Sequence, residues 1–348
     1  MTSTVTAPFF KMTLNGSEIS GDLLAAIEQV TLEDEINLPV MFSIKLSIVD
    51  FKLGQWRGID LQTFKVGDVI KLYMGMDSSD LMVTGEVTNL QIHFGEYSVM
   101  EVRGYDRLRR LQMGTDSRSF KNMKDSDIAV TIAGDMGLTS QVQDSGTVHP
   151  YMFQNNQSNY DFLLERAKRL GYEIAVNDKT FYFVKSHLNN SPELKLEYGY
   201  GLNEFDIEMQ ALTEGNQVEV RGWDIKNKKE ITASAGDGSE NTLMGGKESG
   251  YKITKQAFGS SGHLIPYLNL KDAAEAETVA KANYNLNLQE FITGEGICTG
   301  NSKLRSGKTV NITGLGERFS GIYYLVSTVH TIDEQGYQTN IKVKRTGA

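Results

Sequence analysis

The chain has 348 residues, room for two or three domains of ordinary size, and carries 44 Asp and Glu against 35 Lys and Arg for a formal net charge of −9. That balance excludes a broad basic footprint for nucleic acid. The single cysteine, Cys298, excludes an intrachain disulfide framework or a cysteine-rich zinc site, and reads as a small buried hydrophobe.

Thirty-four glycines against five prolines match many short strands joined by tight turns, so the expected class is α+β, mainly β. The opening Met1-Thr2-Ser3-Thr4-Val5-Thr6 lacks the positive and apolar regions of a secretion signal, and no apolar run is long enough for a helix to span a bilayer. Synthesis in the cytoplasm and no membrane insertion are expected. From Phe9 to about Leu111 apolar and polar residues alternate with period two, as in Phe42-Ser43-Ile44-Lys45-Leu46-Ser47-Ile48, and turns such as Lys65-Val66-Gly67-Asp68 punctuate them. The runs Leu81–His93 and Glu96–Asp106 flank Phe94-Gly95 as a hairpin. Residues 1–115 are expected to form a first antiparallel β-barrel module.

Between about Phe120 and Lys185 the period lengthens. Asp125 or Ser126 is placed to cap a helix with Ile128, Ile132 and Met136 on one face, stopped at Gly137. Ser158 and Asp161 make a capping box for a second helix, whose apolar face is Phe162, Leu163, Ala167 and Leu170 and whose end is Gly171. Tyr172–Val176 and Thr180–Val184 follow as a hairpin, so residues 116–190 read as a small α+β insert. The strand period then returns, in Phe205–Met209 and Gln217–Trp223. Gly236–Gly250 reads as a long loop too polar and glycine-rich to pack, and Lys271–Leu288 as a helix. Strands at Glu290–Cys298, Thr309–Thr313, Tyr323–Ile332 and Thr339–Lys344 complete a second β-barrel module, 191–348.

Self-similarity links the two β-rich halves. Glu101-Val102-Arg103-Gly104-Tyr105-Asp106 matches Glu219-Val220-Arg221-Gly222-Trp223-Asp224 almost residue for residue. Val66–Leu72 resembles Ser306–Ile312, a tight turn feeding a strand, and the hairpin Val83–Val102 resembles Tyr324–Val343. With the pieces matched this way their order differs between halves, so a duplicated architecture of two related barrels is expected rather than a tandem copy. Glu101 with Arg103, and Glu219 with Arg221, stand two apart on one strand face and can pair. Gly104 and Gly222 allow a barrel corner to bend or another backbone to approach, and Asp106 and Asp224 close turns. These eight residues are the candidate barrel-corner and subunit-contact positions.

The residues point to no enzyme. The histidines His93, His149, His187, His263 and His330 form no metal pair, and phosphate loops, dinucleotide fingerprints and nucleophile elbows are missing from the sequence, so no cofactor or metal is expected. Glu33-Asp34-Glu35 offers carboxylates to a cell-wall hydrolase, but only Glu33 and Glu35 share a strand face, and a solvated strand end explains them as well. A monomeric carbohydrate- or peptide-binding module would need clustered aromatics, for which Tyr97, Tyr105, Trp223 and Tyr337 are candidates.

The stretch Phe153-Gln154-Asn155-Asn156-Gln157-Ser158-Asn159-Tyr160-Asp161-Phe162-Leu163-Leu164-Glu165-Arg166-Ala167-Lys168-Arg169-Leu170-Gly171-Tyr172 resembles the Q-x-x-x-S-D-x-x-F-L-x-R-L-A-x-x-x-G segment of the hub proteins of contractile injection machines. That family comprises phage late control protein D, the phage baseplate hub and the N-terminal part of type VI secretion VgrG. Ala274-Glu275-Ala276 is similar to the family's A-E-A segment, and Phe42-Ser43-Ile44 stands where its first barrel does. The resemblance implies a non-enzymatic homotrimer in a virion tail or injection-particle baseplate, whose six barrels form a ring between a hexameric inner tube and a trimeric spike. It implies contacts with itself, the tube, a spike and other baseplate proteins, and no specific nucleic-acid binding. The chain stops at Lys344-Arg345-Thr346-Gly347-Ala348 without a needle module, so a separate spike protein is expected.

Overall fold

The computed structural model describes residues 8–50, 55–56, 61–76, 79–188, 190–224, 227–266 and 270–348; the opening Met1–Thr6 lies outside them. The period-two alternation builds a first curled sheet. Its elements are β1 (Phe9–Leu14), the two-residue β2 (Ser17–Glu18), α1 (Gly21–Ala26), β3 (Ile27–Glu35), β4 (Met41–Ser47), a short pair β5 (Val49–Asp50) and β6 (Gln55–Trp56), β7 (Val69–Gly75), β8 (Asp80–His93) and β9 (Val99–Tyr105). Six strands run antiparallel in the order β1-β7-β8-β9-β4-β3. Every second residue turns inward, so Met12, Leu32, Phe42, Ile44, Leu72 and Val102 share one core.

A 3-10 turn (Arg107–Gln112) leads into the insert. It holds β10 (Asp116–Lys124), α2 (Asp125–Asp135), β11 (Thr139–Val142), β12 (Val148–Gln157), α3 (Asn159–Leu170), β13 (Tyr172–Asn177) and β14 (Thr180–Lys185), around its own core of Leu111, Ile128, Ile132, Leu163, Ile174 and Phe181. The Ser158 hydroxyl accepts from the Asp161 backbone N–H at 3.0 Å, and Gly171 ends α3 at φ 67. The start of α2 differs from expectation. Lys124 is the capping residue and donates its N–H to Asp127 at 3.0 Å, while Asp125 and Ser126 are buried in the first turn.

The rest of the chain forms β15 (Leu194–Tyr198), β16 (Gly201–Met209), β17 (Gln217–Asp224), β18 (Lys229–Ala235), α4 (Gly250–Phe258), β19 (Gly262–Pro266), α5 (Ala273–Leu288), β20 (Ile292–Thr299), β21 (Thr309–Thr313), α6 (Gly316–Phe319), β22 (Gly321–Asp333) and β23 (Gly336–Arg345). The order β22-β21-β15-β16-β20-β23, with β23 pairing back on β22, closes a six-stranded barrel. The loop expected to stay unpacked is packed. Asn241 N–H donates to Asn285 of α5 at 2.7 Å, Met244 is buried, and Lys247 N–H donates to Ala348 O at 2.7 Å. Its glycines are what allow this: a Cβ on Gly246 would lie 2.5 Å from the Gly347 backbone. Helix α4, starting at Gly250 with the Ser249 hydroxyl accepting from Lys252 N–H as its cap, is an element the sequence reading does not predict.

The two barrels match over five of their six strands. In chain order β3, β4, β7, β8 and β9 correspond to β16, β20, β21, β22 and β23, neighbours in the same order β7-β8-β9-β4-β3 and β21-β22-β23-β20-β16. The sixth place differs, since β1 runs antiparallel to β7 whereas β15 runs parallel to β21 and also pairs with β16. The correspondence holds in register. A bulge between Ile27 and Gln29 on β3 falls where one lies between Leu202 and Glu204 on β16, and another between Val87 and Asn89 on β8 falls where one lies between Leu325 and Ser327 on β22. The turn before β7 donates Gly67 N–H to Val87 O at 2.8 Å and takes Val87 N–H on Asp68 O at 2.9 Å. Before β21, Gly307 N–H meets Leu325 O at 2.9 Å and Leu325 N–H meets Lys308 O at 2.8 Å. Both glycines have positive φ, 93° at Gly67 and 76° at Gly307.

One expectation is corrected here. The repeated strand is not a pair of equivalents: β9 corresponds to β23, and β17 lies in a separate three-stranded sheet with β18 and β19. With β17 set aside, the order of pieces is the same in both halves. Core volume is exchanged between them. Phe42 faces Gly85 and Gly104 in the first barrel, and at the same register positions the second has Gly294, Tyr323 and Val343.

Candidate functional site

The first copy of the repeated motif sits on β9, between β8 and β4. Arg103 grips Glu101 through two contacts of 2.7 Å, and the Ser43 hydroxyl donates to Glu101 at 2.6 Å. The Arg103 hydrogen bonds, joined by that from Ser43, hold the Glu101 carboxyl below the usual range. Gly104 is an obligatory close approach, since an added Cβ would stand 2.2 Å from Glu86 O and 2.4 Å from the Phe42 ring. Asp106 is buried. It accepts from Leu108 N–H at 2.9 Å and Val40 N–H at 3.2 Å, capping the 3-10 turn, and burial pushes its carboxyl up to about 7.

The second copy repeats the local chemistry in a different sheet. Arg221 and Glu219 meet at 2.6 Å on the exposed face of β17, with Val218 and Val220 turned into the core against α5. Asp224 accepts from the Asn227 backbone at 2.9 Å and side chain at 2.6 Å, closing a turn. Gly222 lies between them on the strand that pairs with both β18 and β19. The two motifs are therefore separate surfaces. Of the aromatic candidates, Tyr337 is buried with its hydroxyl 2.8 Å from His330 Nδ1, whereas Tyr97 and Trp223 are exposed, on the first barrel and on β17 respectively. Cys298 is buried, and burial pushes its thiol up to about 12.

The junction of the barrels is where chemistry concentrates. Strand β3 pairs antiparallel with β22, Glu35 opposite Ser327 through Val30 opposite Ile332, which fuses both barrels into one 13-stranded sheet. Asp34 turns inward there, between the exposed Glu33 and Glu35, and is held by Arg305 at 2.6 Å and the Ser306 hydroxyl at 2.5 Å. Arg305 also donates to Met82 O at 2.9 Å. The carboxylate of the acidic triplet that sequence reasoning passed over is thus the one that ties the barrels. Its signal was present in the alternation itself, which sends the middle residue of three to the opposite face.

The insert is clamped to this junction. Arg107 bridges Glu86 at 3.2 Å and Asp178 at 2.7 Å, and Arg110 reaches Glu86 at 2.5 Å. Tyr324 of β22 donates to both oxygens of Glu173 at 2.7 Å, and burial raises the Glu173 carboxyl. A cleft of about 490 Å³ lies between the barrels and β13, lined by Asp34, Asp106, Glu173 and Arg305 among others. Inside the insert Asp125 meets Arg166 at 2.6 Å and His149 at 3.1 Å. Burial opposes charge on Asp125, but hydrogen bonds from His149 and Arg166 hold its carboxyl below the usual range. Among the described residues no group of three or more His, Cys, Asp and Glu is arranged to hold a metal ion. These arrangements fix barrels and insert relative to one another.

Residues 4–334 match the family described as the Alg8 N-terminal domain. No curated protein matches the chain. Its fold is that of phage tail proteins. It is similar over 97% of its length to 98% of the 43 kDa tail protein of prophage MuSo2 from Shewanella oneidensis, at TM-score 0.73 and 12% identity. A tail protein from Neisseria meningitidis aligns over 97% of both chains at TM-score 0.72 and 12% identity. An E. coli protein described as a type VI secretion system component with structural similarity to T4 bacteriophage tail proteins aligns at TM-score 0.58 and 10% identity, over 97% of this chain and 77% of its own.

Proposed function

We propose a structural role for this chain, which belongs to the Alg8 N-terminal domain family: it is the hub subunit in the baseplate of a contractile tail or injection machine, a homotrimer that adapts a hexameric inner tube to a trimeric spike. The observation that carries this is the internal duplication. Two barrels alike in the order, register and bulges of five strands lie side by side in one continuous sheet. Three such chains around an axis present six similar barrels to one partner and three identical faces to another, which reconciles sixfold with threefold symmetry. The shared fold with tail proteins agrees with it.

In this reading residues 1–115 and 191–348 are the ring-forming modules and 116–190 a peripheral buttress. The partners are two further copies, the tube, a separate spike and other baseplate proteins, and the place of work is the virion tail or injection particle. The role is mechanical and non-enzymatic. Mass photometry of the purified chain, followed by imaging of particles carrying a tagged copy, tests it. A threefold ring at the tube end supports the reading. A stable monomer with no affinity for tube or spike proteins sinks it.

A further inference from the structure

The internal barrel contact has an unused counterpart. Past the end of β21, β22 continues and pairs with β3 over Ser327–Ile332. In the first barrel β8 likewise continues past β7, whose pairing ends at Glu86, and among the described residues no strand pairs with Asn89–His93 along that edge. The equivalent of β3 is β16. It pairs with β20 along one edge, but with β15 only at Gly201 and Leu202, leaving 203–209 without a described partner strand on the other.

We propose that β8 of one copy pairs antiparallel with β16 of the next, in the register that the internal β3–β22 contact dictates: Leu90 opposite Met209, Gln91 opposite Glu208, Ile92 opposite Ile207 and His93 opposite Asp206. The proposal rests on the ring reading above and names its contact. Three observations support it independently of that reading.

Burial differs where cover differs. Val30, Leu32 and Asp34 of β3 are buried, whereas their equivalents Phe205, Ile207 and Met209 are only half-buried; Thr328 and His330 of β22 are fully buried, whereas Leu90 and Ile92 of β8 are half-buried. The side chains also complement one another. The register sets apolar against apolar on the inner face, and on the outer face an amide opposite one carboxylate and an imidazole opposite another; a slip by one residue would mix the two faces.

Finally, the turn agrees. At the internal contact Ser306 donates to Asp34. The equivalent turn residue is Val66, 70% exposed, and the equivalent of Asp34 is Met209, so a polar contact is replaced by an apolar one across the proposed interface. The contact is head-to-tail, and an unpaired edge strand is otherwise a liability for the chain.

Mixing a Gln91→Cys chain with a Glu208→Cys chain under oxidation tests the register, since the native Cys298 is buried. A disulfide-linked dimer is expected from the mixture, at least tenfold above either variant alone and above Gln91→Cys mixed with Glu204→Cys. Val66→Asp and Met209→Asp, both at incompletely buried positions, are expected to weaken self-association at least tenfold while leaving the far-ultraviolet circular dichroism unchanged. A trimer that forms without the in-register link, or that tolerates both aspartates, overturns this pairing and leaves the hub reading standing. A chain that stays monomeric and unlinked overturns both.

Discussion

Replacing Gly104 by alanine tests the packing logic of the first barrel. The new methyl would lie 2.2 Å from Glu86 O and 2.4 Å from the Phe42 ring. Neither neighbour can withdraw freely: the carbonyl belongs to the backbone of β8, and Phe42 is fully buried. Overpacking costs about 1–3 kcal/mol when neighbours adjust, and two fixed obstacles put this case near the top, about 3 kcal/mol. That is on the order of a hundredfold in the opening equilibrium. Amide hydrogen exchange with peptide resolution reads it locally: β4, β8 and β9 should exchange about a hundredfold faster, with β20 and β23 nearly unchanged. In a Phe42→Leu background the penalty should shrink but persist, because the ring is removed and the carbonyl is not. Exchange that rises less than about threefold, or the same penalty in both backgrounds, would refute the reasoning.

Arg305→Met strips Asp34 of its charged partner; with Arg305 itself about a quarter exposed the cost should be about 1–3 kcal/mol, seen as faster exchange in both β3 and β22. Stability against pH should reveal Asp106. Its folded value of about 7 lies above the ordinary 3.8, so the protonated form is favoured in the fold and this contribution is lost as pH rises from 3.8 to about 7. His330 acts oppositely: burial lowers it from 6.5 to about 4, and its contribution is lost as pH falls through that window. Asp106→Asn should therefore make stability rise more steeply with pH between about 4 and 6.5, measured by urea titration at each pH; an unchanged slope counts against the assignment. Cys298 should resist an aromatic disulfide reagent at pH 8 in the native protein and react on unfolding, and rapid native labelling would contradict its burial.

Local rules were legible in the sequence. The Ser158 cap, the Gly171 terminator, the β13–β14 hairpin and the Glu–Arg pairs of both motifs form as expected, because each depends on residues within a few positions of one another. The packed loop with α4 was not legible. What holds it is Asn285 of α5 and the C-terminal Thr346–Ala348, contacts distant in sequence that composition cannot foresee.

By itself the sequence determined that the chain is mainly β, that an α+β insert separates two β-rich halves, and that the halves are related. Only the tertiary structure decided how. Alternation fixes which way a side chain points but not which strand lies beside it, so the near-identical β9 and β17 could not reveal that they belong to different sheets. The true counterpart of β9 is β23, whose letters differ because Phe42 fills the first barrel's interior from β4, while the second barrel fills the same space with Tyr323 and Val343 around Gly294. Shared register and bulges survive such an exchange of volume because hydrogen-bonded backbone sets them, whereas side-chain identity answers only to the space that remains.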